Sequence, residues 1–470
     1  MAVETIQQIL SPTNAPTING VNAGRKLALA TLDTLYQGLV EKDGRGVNDT
    51  WVSTKDCEEN AQVFVNRIVP VKMEAREMGA NRNGASYSAN QHYTQTQQVS
   101  IELLQVLDDP ILIPRARQDM IPTDLVAKHI DLFSKRLATI INGATAGVKL
   151  LASYEAGEDR NHVEITASDI TNKEVALRFM EANSKLDEGD MENGIDIFPE
   201  DTRVAVIKVG YRPTLLSAGV LTLGGANYAY DILAKGTLDK DATARKREDG
   251  FIGTIDSVDV HVLSNESLAH ASKFMGLPEN ELRASDFIGY IASSYANARG
   301  VSSSEQIRTV PEVNGQGIRL LPYVKFGVAC WFQKGVVTLG KSDYNPIAEI
   351  KALFPSANPV FKLKSAGSRL VISGTPVWSN VATTGFTLSG VGAFDDWNTD
   401  HALGYLYVVA DKEIKTLDGF YKAYNETGAV AGSVTIGSAV TATIADGDYI
   451  NVLALADDGT VSLISHQYKA

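Results

Sequence analysis

Cysteine is almost absent from this sequence: the 470 residues include two, Cys57 and Cys330. They are far apart and lack the spacing of metal ligands, which argues against a disulfide framework and indicates a reducing compartment. No apolar segment approaches the roughly 18 residues of a membrane span, and the N-terminus lacks the basic and apolar regions of a signal peptide. We therefore expect a soluble protein that is made in the cytosol and has no membrane partner.

Positive charge is scarce relative to negative charge. The chain carries 43 Lys and Arg against 56 Asp and Glu, a formal net charge of −13. Proteins that bind nucleic acid without regard to sequence concentrate positive charge, so this class is disfavoured. An acidic balance is still compatible with a container whose inner wall must not adhere to DNA.

Signatures of catalysis and metal binding are missing as well. The seven histidines are scattered without an i, i+4 pair, and no Gly-x-Ser-x-Gly elbow occurs. Acidic loops at 187–192 and 396–400 could recruit a cation, but solvated turn carboxylates are commoner. In the second loop, His401 and Tyr407 replace the glycine and glutamate of a calcium site. We predict no catalytic, cofactor-binding or metal site, and no enzyme activity.

One nucleotide-binding pattern does occur. Residues 335–342 (GVVTLGKS) match the spacing of a P-loop, whose backbone wraps phosphate and whose lysine reaches the β- and γ-phosphates. The interior of this segment is stiff and β-branched, and Pro346 would fall inside the helix that a P-loop must open. A strand over 336–339 is the favoured interpretation, and a P-loop nucleotide-binding protein is the enzyme alternative.

The feature around which the chain is organised lies at 61–143. Both arms of segment 61–110 alternate apolar and polar residues around an Asn-Gly pair, which predicts a β-hairpin. A two-stranded ribbon has no second layer to cover its apolar face, so we predict that it lies on another copy of the chain. The candidate contact residues are Val63, Val65, Val69, Val71, Arg82, Asn83, Gly84, Val99 and Ile101.

Helical and strand patterns then follow one another without a regular βαβ repeat. An apolar stripe predicts a helix over 123–143, and a capping box at Thr171–Glu174 predicts a second helix through Leu186. Strands are expected at 203–209, 250–262, 287–291 and on both sides of a turn at 333–335. This mixture predicts an α+β class. After Pro355, short strands separated by turns predict an appended all-β domain of the Ig-like, sandwich type.

This order of elements resembles the major capsid proteins of tailed bacteriophages, which have the HK97-like fold. The resemblance implies an N-terminal arm, an extended hairpin called the E-loop, a spine helix in a peripheral domain, an axial domain and a return to the peripheral domain. The implied segments are 1–60 (arm), 61–110 (E-loop), 111–164 (peripheral domain with spine helix), 165–314 (axial domain), 315–354 (return) and 355–470 (appended C-terminal domain).

The resemblance also implies a function. The chain would be a structural subunit that self-assembles into hexamers and pentamers of an icosahedral capsid enclosing viral double-stranded DNA. Its partners would be itself, a scaffolding protein, a portal, other virion proteins, and packaged DNA without sequence-specific contact. It would be assembled in the host cytoplasm and reside in the virion. An encapsulin-type compartment, which shares the fold but packages no genome, is the alternative.

Overall fold

The structure is a computed structural model. The residues that it describes are 17–18, 21–22, 50–51, 62–68, 96–102, 104–107, 111–114, 123–171, 174–193, 195–217, 251–256, 258–301, 307–311, 317–363, 371–372, 375–391, 394–395 and 402–469. The α-helices in this part of the chain are α1 (Thr123–Glu155), α2 (Ala167–Thr171), α3 (Val175–Asp187), α4 (Arg212–Ser217), α5 (Asn265–Phe274), α6 (Glu281–Ala284), α7 (Pro346–Leu353) and α8 (Leu417–Tyr424).

The strands are numbered in the same way. They are β1 (Thr17–Ile18), β2 (Val21–Asn22), β3 (Thr50–Trp51), β4 (Gln62–Ile68), β5 (Thr96–Glu102), β6 (Leu104–Leu107), β7 (Ile111–Pro114), β8 (Asn161–Glu164), β9 (Arg203–Lys208), β10 (Phe251–Ile255), β11 (Val258–Leu263), β12 (Phe287–Ser293), β13 (Asn297–Val301), β14 (Ile307–Pro311), β15 (Gly317–Cys330), β16 (Val336–Gly340), β17 (Val371–Ile372), β18 (Val377–Ala382), β19 (Gly385–Ser389), β20 (Phe394–Asp395), β21 (Ala402–Ala410), β22 (Val430–Ser433), β23 (Ala439–Thr441), β24 (Tyr449–Ala456) and β25 (Val461–Gln467). The expected α+β class is confirmed.

Helix α1 continues well past Gly143, where the sequence pattern predicted its end, and reaches 33 residues, or about 50 Å. Gly143 does not cap the helix; it lies where α5 crosses α1. A Cβ atom on Gly143 would lie 2.6 Å from the Cβ of His270 and 2.7 Å from the carbonyl oxygen of Ser267. The missing side chain therefore lets two helix backbones approach closely, and the predicted boundary was wrong for that reason.

We expect Gly143→Leu to lower the free energy of unfolding by about 1–3 kcal/mol, because a side chain at this crossing must push α5 away from α1. Gly210→Leu is the matched control, since a Cβ atom on Gly210 meets nothing within 4 Å. Urea denaturation of the two variants measures the difference. Equal losses would show that α1 and α5 can separate without cost.

A mixed sheet with the strand order β10-β11-β9-β12-β16-β8 forms the centre of the body. The middle strands of this sheet are buried, and successive side chains along them point alternately into two different cores. Val204 and Val206 of β9 face a core shared with α1, α5 and α7, whereas Ala205 and Ile207 face a core shared with α3. The continuous run of β-branched residues that predicted this strand thus reflects burial on both faces of the sheet.

The capping box predicted at Thr171–Glu174 was wrong. Thr171 belongs to the preceding short helix, α2, and its hydroxyl donates to the carbonyl oxygen of Ala167 at 3.0 Å. Helix α3 begins at Val175, and its N-cap residue Glu174 makes no side-chain capping bond. The Glu174 N–H, which the capping box needs as a donor to the Thr171 hydroxyl, donates instead to the carbonyl oxygen of Asp169 at 2.8 Å.

A second, elongated sheet is built on the 14-residue strand β15. β13 and β14 pair with it along one edge, and β6 and β7 pair with it along the other. The turn predicted at 333–335 is a short 3-10 helix, Gln333–Gly335. The strands on its two sides do not form a hairpin, because β16 pairs with β12 and β8 in the central sheet.

The C-terminal region contains two antiparallel sheets that face each other. The strand orders are β18-β19-β23 and β22-β21-β24-β25, and Phe386, Leu388, Ile450 and Val452 lie in the core between them. The sandwich-like arrangement that the sequence suggested is present, but the region is not all-β. Helix α8 lies between β21 and β22, with Leu417 and Phe420 fully buried.

The four-stranded sheet also faces the body. Leu453 and Leu455 alternate along β24 with Val452 and Ala454, and they point into the core that contains Leu150 of α1. Leu417 and Phe420 of α8 join the same core. The C-terminal region thus packs as part of the body and is not an appended domain.

Candidate assembly surfaces

The predicted ribbon is present as the antiparallel pair β4–β5. Val63 lies opposite Ile101 and Val65 lies opposite Val99. Since side chains alternate along a strand and directly opposed residues share a face, these four positions lie on one face of the ribbon. Val69, Val71, Arg82, Asn83 and Gly84 lie outside the described residues, so their predicted contacts stay predictions.

The ribbon is attached to the elongated sheet at its base. β5 ends at Glu102, and β6 begins two residues later at Leu104, where it pairs with β15. Within the described part of the chain, β4 and β5 form a sheet of two strands only. Each therefore has an outer edge to which another strand can add by main-chain hydrogen bonding.

Exposed apolar side chains are concentrated in the segment between residues 177 and 197, which we call the second surface. Where side chains are described, it holds four of the eight large hydrophobic residues that are exposed: Leu177 (60%), Met180 (43%), Met191 (69%) and Ile197 (56%). Leu177 and Met180 are three residues apart on α3 and so lie on the same side of that helix. An exposed concentration of this kind is typical of an interaction surface.

Backbone hydrogen bonds close the loop that carries Met191 and Ile197. Asp190 and Ile195 close it with a pair of backbone hydrogen bonds of 2.7 and 2.9 Å. Gly189, just before it, has a φ of +66°, and a Cβ atom there would lie 2.2 Å from the carbonyl oxygen of Asp196. Only glycine fits this position, because it combines a left-handed backbone with close contact to the returning chain.

Arg203 holds α3 against the central sheet. Its guanidinium is buried and donates five hydrogen bonds: two to the carbonyl oxygen of Phe198, one each to the carbonyl and side-chain oxygens of Asn183, and one to the Asp187 carboxylate. Asn183 and Asp187 lie on the last turns of α3. Arg203 thus adds a polar anchor at the C-terminal end of the helix whose buried stripe leaves Leu177 and Met180 on the outer side.

Sequence reasoning missed this second surface. The stripe that predicted α3 contains Val175, Phe179, Ala182 and Leu186, all of which are buried. Leu177 and Met180 lie off that stripe, and their large apolar side chains on the polar face were the available signal.

The segment that matches the P-loop pattern is confirmed as a strand. Val336–Gly340 is the buried strand β16. After it, the Lys341 amide donates to the carbonyl oxygen of Asp286 and the Ser342 hydroxyl donates to the Asp286 carboxylate. Helix α7 begins at Pro346, and Asn345 is its N-cap residue. Residues 335–342 therefore do not form the strand–loop–helix turn of a phosphate site.

Two further searches cover the described residues only. No group of three or more His, Cys, Asp or Glu side chains among them could hold a metal ion. None of their helices is long and apolar enough to cross a membrane.

No protein-family model and no curated protein matches the sequence. The chain is similar to several solved structures. The capsid of Ralstonia phage GP4 has a TM-score of 0.40 and 12% identity, over 64% of this chain and 88% of that chain. The capsid of cyanophage P-SCSP1u has a TM-score of 0.40 and 11% identity, over 63% and 87%. A virus-like particle from Pyrococcus furiosus has a TM-score of 0.35 and 13% identity, over 68% and 100%.

The first two structures are phage capsids, the class of protein that the sequence resembles.

Proposed function

We propose that the protein is a major capsid subunit of a tailed bacteriophage with an HK97-like fold. It self-assembles into hexamers and pentamers of an icosahedral shell around double-stranded DNA, and its role is assembly rather than turnover. The observation that carries the proposal is the ribbon β4–β5. Four apolar positions share one of its faces, and both of its edges are open within the described residues.

The remaining elements support the proposal by their order. The ribbon is followed by a 33-residue helix, a mixed central sheet and a 14-residue strand that returns beside the ribbon's base. In this assignment 1–60 is the arm, 61–110 the E-loop, 111–164 and 315–354 the peripheral domain, 165–314 the axial domain, and 355–470 the C-terminal region.

Two surfaces would contact neighbouring subunits. The apolar face of the ribbon lies on one neighbour, and the exposed side chains at 177–197 meet another copy of the chain. Each contact can be modest, because a closed shell repeats it many times and every subunit is held by several neighbours. A scaffolding protein, a portal and other virion proteins complete the set of partners in this proposal.

The net charge supports the same role. At −13, the chain repels packaged DNA more than it attracts it, so DNA would be enclosed without sequence-specific contact. The proposed location is the virion, after assembly in the host cytoplasm.

The test compares two adjacent cross-strand pairs of the ribbon. Val65→Lys/Val99→Lys places two charges on the apolar face, and Asn66→Lys/Gln98→Lys places two on the opposite face, since these residues are also partners. We expect the first variant to stay an unassembled subunit with an unchanged melting temperature, and the second to form shells, as judged by electron microscopy with and without scaffolding protein. Normal shells from the first variant would refute the role of the ribbon, and wild-type protein that never forms shells would refute the proposed function.

A further inference from the structure

Helix α8 is joined to the body by a carboxylate from another element. Glu281, in α6, is fully buried and accepts hydrogen bonds from the backbone N–H groups of Leu417 and Asp418, the latter at 3.0 Å. It also accepts the Tyr344 hydroxyl at 2.8 Å. The first N–H groups of a helix lack partners within it. Thr416, the N-cap residue of α8, accepts the N–H of Gly419, and Glu281 supplies acceptors from the body for the two N–H groups before it.

A salt bridge makes a second connection beside the first. The Lys422 ammonium lies 2.9 Å from the carboxylates of both Asp286, in the body, and Asp418, in α8. Asp286 is itself fixed by the Ser342 hydroxyl at 2.8 Å.

A further carboxyl group, Glu349 of α7, lies next to both connections. Its Oε2 atom is buried and has no hydrogen-bond partner among the described residues. The charged groups that act on it are Asp418 and Lys422 from α8, Glu281 from α6, and Asp286 before β12. Glu349 therefore has three acidic neighbours and one basic neighbour, and its charged form is poorly compensated.

The other titratable groups around this junction do not supply the missing charge. Tyr154 of α1 and Tyr344 add hydroxyls that the buried carboxylates keep protonated, since burial and those charges raise the pKa of Tyr344 well above its usual value. Arg160 acts on Tyr154 and forms an ion pair with Asp343. Lys341 acts on Asp286.

We propose that this junction is a proton-dependent clasp: α8 is held to the body while Glu349 is protonated, and α8 opens when Glu349 ionises. The geometry provides the mechanism. Ionisation would place a further negative charge beside Glu281 and Asp418, the two carboxylates on which the clasp is built. Opening α8 exposes all three carboxylates to water and takes Asp418 away from Glu281 and Glu349.

The direction of the pH effect follows from the pKa values. Burial, and then the charge of Asp418, raise the pKa of Glu349 to about 8. Burial raises the pKa of Glu281 to about 7, although its hydrogen bonds from Asp418 and Leu417 act to lower it. An acid whose pKa is raised in the closed state binds its proton more tightly there. The two glutamic acids therefore stabilise the clasp most in and below the ordinary glutamate range, and their contribution is lost as the pH rises to about 8. At still lower pH the salt bridge of Lys422 is lost as well, because Asp286 becomes protonated; although burial acts to raise its pKa, hydrogen bonds from Lys422 and Ser342 lower it.

Hydrogen exchange of α8 tests the clasp in the full-length chain. Consider Glu349 alone, with a pKa of about 8 in the closed state and the ordinary glutamate value in the open state. Between pH 7 and 8 its ionisation increases the open fraction by roughly fivefold, after correction for the intrinsic pH dependence of exchange. We expect this rise at the α8 amides of the wild type but not of Glu349→Gln, with the β9 amides as an internal reference. Glu413→Gln, an exposed carboxyl paired with Lys415, is the matched control and should behave as the wild type.

Asp418→Asn is a second, independent variant. Because the Asp418 charge raises the pKa of Glu349, removing it should shift the rise in α8 exchange to lower pH. The proposal fails if the wild type and Glu349→Gln respond to pH in parallel, or if neither responds. It also fails if Asp418→Asn leaves the midpoint unchanged. These outcomes do not depend on shell formation, so they are separate from the test of the proposed function.

Discussion

Arg203→Met is expected to lower the free energy of unfolding by about 3–5 kcal/mol, the cost of breaking a buried, hydrogen-bonded charge network. Methionine keeps the length of the side chain but donates no hydrogen bond. The carbonyl oxygen of Phe198 and both oxygens of Asn183 would stay buried without their donors. Each unsatisfied buried acceptor costs about 1–3 kcal/mol. The Asp187 carboxylate, about half exposed, would be rehydrated and adds little.

Arg178→Met provides the matched control. Arg178 also pairs with an aspartate, Asp169, at 3.1 Å, but its side chain is 39% exposed. The Asp169 carboxylate is buried, but it keeps hydrogen bonds from the N–H and the hydroxyl of Thr166 when Arg178 is replaced, so we expect a loss of only about 1 kcal/mol. Urea denaturation of unassembled subunits gives both values. Similar losses for the two arginines would mean that burial of the Arg203 network does not govern its contribution.

The same substitution has a consequence for assembly. Arg203 ties the last turns of α3 to the central sheet, so its loss loosens the C-terminal end of the helix that presents Leu177 and Met180, while the buried stripe of α3 still holds it. Arg203→Lys keeps the charge but not the planar fork, and it should recover only part of the stability.

The sequence predicted the ribbon, the helix α1 and the central strands because their signals are local. Alternation fixes which residues of β4 share a face, and the pairing of Val65 with Val99 agrees with it. The end of α1 could not be predicted in the same way. Gly143 has the appearance of a helix terminator, and its actual role depends on α5, more than a hundred residues later in the chain.

The junction at α8 was equally invisible in the sequence. Glu281 lies in a polar segment, Pro278–Arg283, which reads as a solvated turn. Its burial depends on Leu417 and Asp418, which are distant in sequence and meet it only in the folded chain. The change in composition after Pro355 predicted a domain boundary. Composition does not indicate which face of that domain packs against the rest of the chain.

Removing residues 364–470 is expected to prevent stable folding of the remaining chain. The deletion takes eight side chains from the core that they share with α1, α5 and α7: Leu406, Val408, Ile414, Leu417, Phe420, Leu453, Leu455 and Val461. Burying one large apolar side chain contributes about 1.5–3 kcal/mol. The sum, about 12–24 kcal/mol, is comparable to or larger than the roughly 5–15 kcal/mol by which a folded protein is stable, so the truncated body should be insoluble or unfolded by circular dichroism.

Two neighbouring residues of β24 distinguish a shared core from an independent domain without a deletion. Leu453 and Val452 are both fully buried, but Leu453 lies in the core shared with the body and Val452 in the core between the two C-terminal sheets. If the whole chain unfolds as one unit, Leu453→Ala and Val452→Ala each lower a single transition, by about 2–5 kcal/mol for the leucine. If the C-terminal region unfolds alone, Val452→Ala lowers a separate transition and leaves that of the body unchanged. We expect the first result, because β24 places alternate side chains into both cores and neither core can open while the strand stays in place.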